Sequence, residues 1–222
     1  MSLLRSLPLL LLPGLLSAQA TALVDDGTFT ISRKGSPVGR EAFRIARVPS
    51  AGGQVLRASG TTVLEDRRYT TVLGTDSTGM PVSYEARLTL DGKNLRIEGR
   101  GRPGRFSVLS STEGGESARE YVLEDGALLM EDEVFLHYYF VPLSASQRVE
   151  VIVPRAAEQK SFSIHSRGSE TVDIAGAKLA ARRFSISSDG VNRDVWVDAL
   201  GRLLKVSIPD KSLVALRDDP PR

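Results

Sequence analysis

The chain has 222 residues, of which 41% are hydrophobic and 25% charged, with twenty glycines, eleven prolines and no cysteine. That composition is ordinary for a globular protein, and the lack of cysteine excludes disulfides, thiolate metal centres, cysteine nucleophiles and the usual lipidated-cysteine anchor. Twenty-nine Lys and Arg stand against 27 Asp and Glu, so the chain lacks the concentrated basic face that a nucleic-acid partner requires.

The first twenty residues read as a secretory leader. Arg5 supplies the positive region, Leu7 to Leu16 an apolar run broken by Pro8, Pro13 and Gly14, and Ala18-Gln19-Ala20 a small-residue cleavage site. The run falls short of the ~20 residues that a spanning helix needs. Cleavage after Ala20 is therefore expected. It leaves a single domain over 21–217 and a polar, Pro-bearing tail over 218–222 that frays. No later segment is long and apolar enough for a membrane helix, so the mature chain is expected in the periplasm or outside the cell, with no transmembrane segment.

The mature part opens as a meander. Thr28 to Arg33 alternates into a strand, Gly35-Ser36-Pro37-Val38-Gly39 turns, and Glu41 to Val48 returns with Phe43 and Ile45 on its apolar side. Gln54 to Leu64 and the β-branched run Tyr69-Thr70-Thr71-Val72-Leu73 follow. Pro81 to Leu90 alternates Val82, Tyr84, Ala86, Leu88 and Leu90, and Asp91-Gly92 is a hairpin signal. Lys93 to Gly101, Arg105 to Ser111 and Ala118 to Leu123 continue the series. Short turns between successive strands imply antiparallel pairing.

At Asp125-Gly126 the period changes. Ala127, Met130, Val134, Tyr138 and Val141 are spaced as a helical stripe, which predicts one helix of about four turns, stopped by Pro142. Glu131, Asp132 and Glu133 fit its solvated N-terminal part. Strands resume at Arg148 to Val153, Ser161 to Arg167, Glu170 to Ile174 and Lys178 to Ser187. Arg193 to Pro209 then reads as a hairpin at the centre of the sheet, turning at Asp198 to Gly201 and carrying the only Trp, Trp196; a short strand over Ser212 to Arg217 ends the series.

The sequence lacks a nucleophile elbow, a phosphate-binding glycine loop and metal-ligand spacing, so no catalytic residue, metal site or cofactor is assigned. His137 and His165 would build an enzyme site only by meeting in one cleft with a carboxylate. Two candidate binding sets remain. Phe135, Tyr138 and Tyr139 of the predicted helix, with Trp196, could line an apolar cavity that takes a lipid or other apolar small molecule. Arg96, Arg100, Arg102 and Arg105 gather near Pro103-Gly104 and could hold an anion.

The leader, the Gly35 to Gly39 turn, the aromatic helix and above all Val195-Trp196-Val197-Asp198-Ala199-Leu200-Gly201-Arg202-Leu203-Leu204-Lys205-Val206 resemble exported bacterial proteins of the domain-of-unknown-function 3108 group. The same hairpin also resembles the closing strands of LolA-like and LolB-like lipoprotein carriers, whose curved sheets hold acyl chains against a helix. The first resemblance implies an exported location and no established activity. The combined expectation is an all-β domain with one helix: a curved antiparallel sheet forming an open or partly closed barrel, the helix at its concave face. Its leading function is non-catalytic binding of an apolar or amphipathic envelope ligand or an envelope protein partner. The alternatives are an enzyme around His137 and His165, and a structural module presenting a sheet edge.

Overall fold

The computed structural model describes residues 21–50, 53–144 and 146–222, so the leader and its Ala20 cleavage site lie outside the described residues. Fifteen strands form one sheet: β1 (Ala22–Arg33), β2 (Ser36–Ser50), β3 (Gly53–Leu64), β4 (Arg67–Thr75), β5 (Pro81–Leu90), β6 (Lys93–Arg102), β7 (Arg105–Thr112), β8 (Gly115–Val122), β9 (Leu128–Leu129), β10 (Arg148–Val153), β11 (Glu158–Ile174), β12 (Ala177–Ser188), β13 (Val191–Val197), β14 (Leu203–Ile208) and β15 (Leu213–Arg217).

The strand order is β8-β7-β6-β5-β4-β3-β2-β1-β15-β14-β13-β12-β11-β10-β9. Neighbours are antiparallel except for β9 and β10, where Leu128 and Leu129 run parallel to Val151 and Ile152. The middle strand is β1, held between β2 and β15, and not the Trp196 hairpin. Among the described residues no strand ladder joins β8 to β9, so the sheet is curved but unclosed by backbone hydrogen bonds, as expected of an open or partly closed barrel.

Alternation sorts the side chains onto two faces. The inner face carries Phe29, Phe43, Ile45, Leu73, Tyr84, Ile97, Phe106, Val195 and Val206, all buried in one large core. Trp196 lies one residue from Val195 and Val197 and points the other way. It packs with Val172, Ile174, Ala181 and Leu204 in a separate small cluster. The predicted turn after β13 is present: Gly201 has φ +82°, and Asp198 Oδ1 accepts from the backbone N–H groups of Leu200 and Arg202 at 2.9 and 2.8 Å. Asp218, the first residue of the segment expected to fray, accepts hydrogen bonds from Thr28, Thr30 and Arg40.

The predicted four-turn helix over Ala127 to Val141 is corrected. Leu128–Leu129 is strand, and only Phe135–Leu143 is helical, as a 3₁₀ helix with Pro142 inside it. Phe135 to Val141 are all buried. A segment enclosed on every side has no polar face, so apolar spacing along it carries no directional information. Glycine lets the segment lie directly on the sheet: a Cβ on Gly60 of β3 would stand 2.3 Å from Leu136 Cδ2.

Candidate functional site

The 3₁₀ helix is anchored by a carboxylate that enters from the sheet. Glu41 is in inward phase with Phe43 and Ile45 and is fully buried. Its oxygens accept from the backbone N–H groups of Phe135 (2.8 Å) and Leu136 (2.6 Å) and from Thr62 Oγ1 (2.6 Å). Those two N–H groups belong to the first helical turn, which has no internal partners for them. Burial raises the Glu41 carboxyl to about 7 against the pull of these three donors.

The loop before the helix carries Glu131, Asp132 and Glu133. They are not a solvated helix start, because the helix begins later and the loop is drawn into the fold; Glu131 and Glu133 are buried. Each acid has at least one cation beside it, and Arg155 lies near both Glu131 and Glu133. Glu131 Oε1 accepts from the Arg155 backbone N–H at 2.9 Å, and Arg155 Nε lies 3.5 Å from Oε2. Asp132 meets Arg193 at 2.6 Å and Lys211 at 2.9 Å. Glu133 meets Arg67 at 2.7 Å and accepts from the Tyr69 hydroxyl. Burial pushes Glu131 up to about 7 despite Arg155. Burial works the same way on Asp132 and Glu133, but their cations and hydrogen bonds outweigh it and hold both below the ordinary carboxylate range.

His137 is fully buried, and burial holds its imidazole down at about 3, so it is neutral. Its Nδ1 accepts from the Glu131 backbone N–H at 3.1 Å, which leaves the ring proton on Nε2. The Tyr84 ring meets it edge-on at 5.7 Å. His165 stands on the outer face of β11, opposite Ser185, while its neighbour Ile164 points inward. The two histidines are therefore on opposite faces, and the cleft that an enzyme built on both would need does not form. Among the described residues no three His, Cys, Asp or Glu side chains gather as metal ligands.

The first candidate binding set is divided. Phe135 and Tyr138 stack at 6.5 Å, and Tyr139 lies beside them, all within the main core. Trp196 is on the far face, where its Nε1 donates to Glu170 at 2.9 Å and where the Arg183 guanidinium and Lys205 ammonium lie 5.1 and 4.5 Å from the ring centre. The second set does share a surface. Arg96, Arg100 and Arg102 alternate with inward Ile97, Gly99 and Gly101, and Arg105 pairs opposite Arg102. A shallow depression of about 470 Å³ includes Arg100 and Arg102, but Glu98 and Glu120 lie in it as well. Arg96 is paired with Glu98, and Arg105 with Glu120 at 2.5 Å.

A larger depression of about 590 Å³ opens where the β5–β6 and β7–β8 turns meet. Leu90 and Leu95 form its floor, both packed on the main core, with Thr112, Lys93, Asp91 and Glu113 around them. Glu41, Tyr69, Tyr84 and Arg155 were not singled out in the sequence. For Glu41 the one signal was a carboxylate in the inward phase of Glu41-x-Phe43-x-Ile45. Arg155 gave none, since its contacts are 22 to 86 residues away in the chain.

These features define an all-β domain in which one open antiparallel sheet wraps a buried 3₁₀ segment secured by internal carboxylates. The chain belongs to the family described as a domain of unknown function, DUF6134, whose model matches residues 78–217. This is an unknown-function group, as the terminal hairpin suggested, but it is not the 3108 group, and the match lends no support to the LolA-like and LolB-like likeness. No curated protein and no solved structure matches the chain.

Proposed function

We propose that the chain is an exported, non-catalytic β domain that binds an apolar or amphipathic small molecule of the cell envelope. The observation that carries this reading is the depression floored by Leu90 and Leu95. It is of ligand size at about 590 Å³ and combines apolar Leu90 and Leu95 with polar Asp91, Lys93, Asn94, Thr112 and Glu113 at the β5–β6 and β7–β8 turns. The Arg5 and Ala18-Gln19-Ala20 leader pattern supports export. In this reading Phe135, Tyr138 and Tyr139 belong to the packed core and not to the ligand's lining, and Trp196 stiffens the sheet from its other face.

The test is native mass spectrometry of protein isolated from its own host, with extraction of bound small molecules, beside binding of a fluorescent fatty-acid analogue. A co-purifying amphiphile is expected, and Leu95→Glu should abolish analogue binding with the fold intact. An empty extract together with unchanged binding in Leu95→Glu would sink the proposal. A second reading, a module that pairs through a sheet edge, is favoured by β8, where Gly115 to Glu120 are all exposed and β7 is the one neighbouring strand. Concentration-dependent dimerisation abolished by Ala118→Pro would support it over ligand binding.

A further inference from the structure

The strand registers order the lining of the Leu90–Leu95 depression. Leu90 lies opposite Lys93 across β5 and β6, and Leu95 lies opposite Thr112 across β6 and β7. Leu90 is in phase with buried Leu88, and Lys93 and Leu95 with buried Ile97, so all three belong to the inner face. Opposite residues stand about 5 Å apart, and residues two apart on one strand about 7 Å. The Lys93 stem therefore continues the apolar surface of Leu90 and Leu95 and carries its ammonium to the rim.

Two turns complete that rim. Asp91 sits in the β5–β6 turn at φ +50°, and Glu113 sits in the β7–β8 turn. Asp91, Lys93 and Glu113 all line the depression and are exposed. Arg96 and Arg105 of the same wing are tied to Glu98 and Glu120, but these three charges form no ion pair among the described residues. Two carboxylates and one ammonium thus surround one apolar floor. An anionic head would gain Lys93 and meet two like charges. A cationic head would gain the two acids and meet Lys93. Like-charge contacts of this kind reject a partner. A head that carries both signs can set each of its charges against an opposite one.

We propose that the depression selects an amphiphile with a zwitterionic head. The tail lies on Leu90 and Leu95, the anionic group meets Lys93, and the ammonium meets Asp91 and Glu113. This inference rests on the small-molecule reading of the same depression and adds to it the chemistry of the head.

The experiment uses three probes with one decyl tail: zwitterionic decylphosphocholine, anionic decyl phosphate and cationic decyltrimethylammonium. Each is titrated below its micelle concentration and read at the methyl resonances of Leu90 and Leu95. Decylphosphocholine should bind roughly fivefold tighter than either singly charged probe, the scale of one exposed charge pair. Asp91→Asn combined with Glu113→Gln should erase its advantage over decyl phosphate. The turn should survive, because asparagine tolerates the left-handed conformation as aspartate does. Lys93→Gln should erase its advantage over decyltrimethylammonium. Equal or tighter binding of a singly charged probe, or margins unchanged in these variants, overturns the zwitterionic head and leaves the apolar site standing. Binding of none of the three, or saturable binding that leaves the Leu90 and Leu95 resonances unmoved, overturns the head and the site together.

Discussion

The two faces of this one sheet handle aromatic rings and charge in opposite ways. On the inner face, Phe135, Tyr138 and Phe140 are enclosed, and Glu41 and His137 among them accept from backbone N–H groups of the helix and the loop before it. On the outer face, Trp196 lies near Arg183 and Lys205 with Glu170 at its N–H, and its cluster has five buried members. A charge inside is a structural element whose ionisation bears on folding. A charge outside is screened, and its loss is absorbed by solvent.

The largest expected effect tests the inner face. Phe135→Ala should cost about 3–5 kcal/mol in urea unfolding, because the cavity it leaves is enclosed by sheet on several sides. A cost near 1 kcal/mol would mean that the 3₁₀ segment is a loose filling.

Next comes the pH dependence. Glu41 and Glu131 are raised to about 7 in the fold, above their ordinary 4.5. The folded protein therefore binds these protons more tightly, so the stability they contribute is full below 4.5 and is lost as pH rises through 7. His137 works the other way: it is held at about 3 against an ordinary 6.5, so it contributes stability above 6.5 that is lost as pH falls towards 3. Between 4.5 and 6.5 two protons oppose one, and stability should fall with pH by roughly 1.4 kcal/mol per unit. Glu41→Gln should flatten that slope, measured by unfolding free energies at several pH values. A slope unchanged in Glu41→Gln would remove Glu41 as its source.

Smaller effects sharpen the outer side of the contrast. Trp196→Phe keeps a ring but loses the bond to Glu170, and should cost about 1 kcal/mol by the same unfolding assay. A cost equal to that of Phe135→Ala would make the small cluster a second core of equal weight. Arg105→Ala, which breaks an exposed pair with Glu120, should stay within about 0.5 kcal/mol.

Legibility in the sequence follows the range of the interactions. The strands and their turns are local, and Asp91-Gly92 and Asp198 to Gly201 were readable because positive φ and side-chain-to-backbone bonds are made within four residues. The 3₁₀ helix was misread because burial on all sides erases the difference between a core stripe and a filled interior. The loop acids were misread because their partners Arg67, Arg155, Arg193 and Lys211 are brought in by tertiary structure alone. Trp196 was grouped with the helix aromatics by residue type, although its phase relative to Val195 and Val197 already placed it on the other face.

The pairing of β1 with β15 has a consequence for how the chain acquires its form. Phe29 aligns with Arg217, and Arg217 closes a buried ion pair with Asp25, 192 positions earlier, at 2.9 Å. The middle of the sheet is thus joined by the last of the fifteen strands in chain order. Until then β1 and β14 each present a bare edge, and the two wings have no seam to align on. Such distant closure is slow, so the two wings stay unjoined for a long interval of folding. Removal of Leu213–Arg217 should leave two half-sheets that aggregate through those edges in place of a smaller native domain.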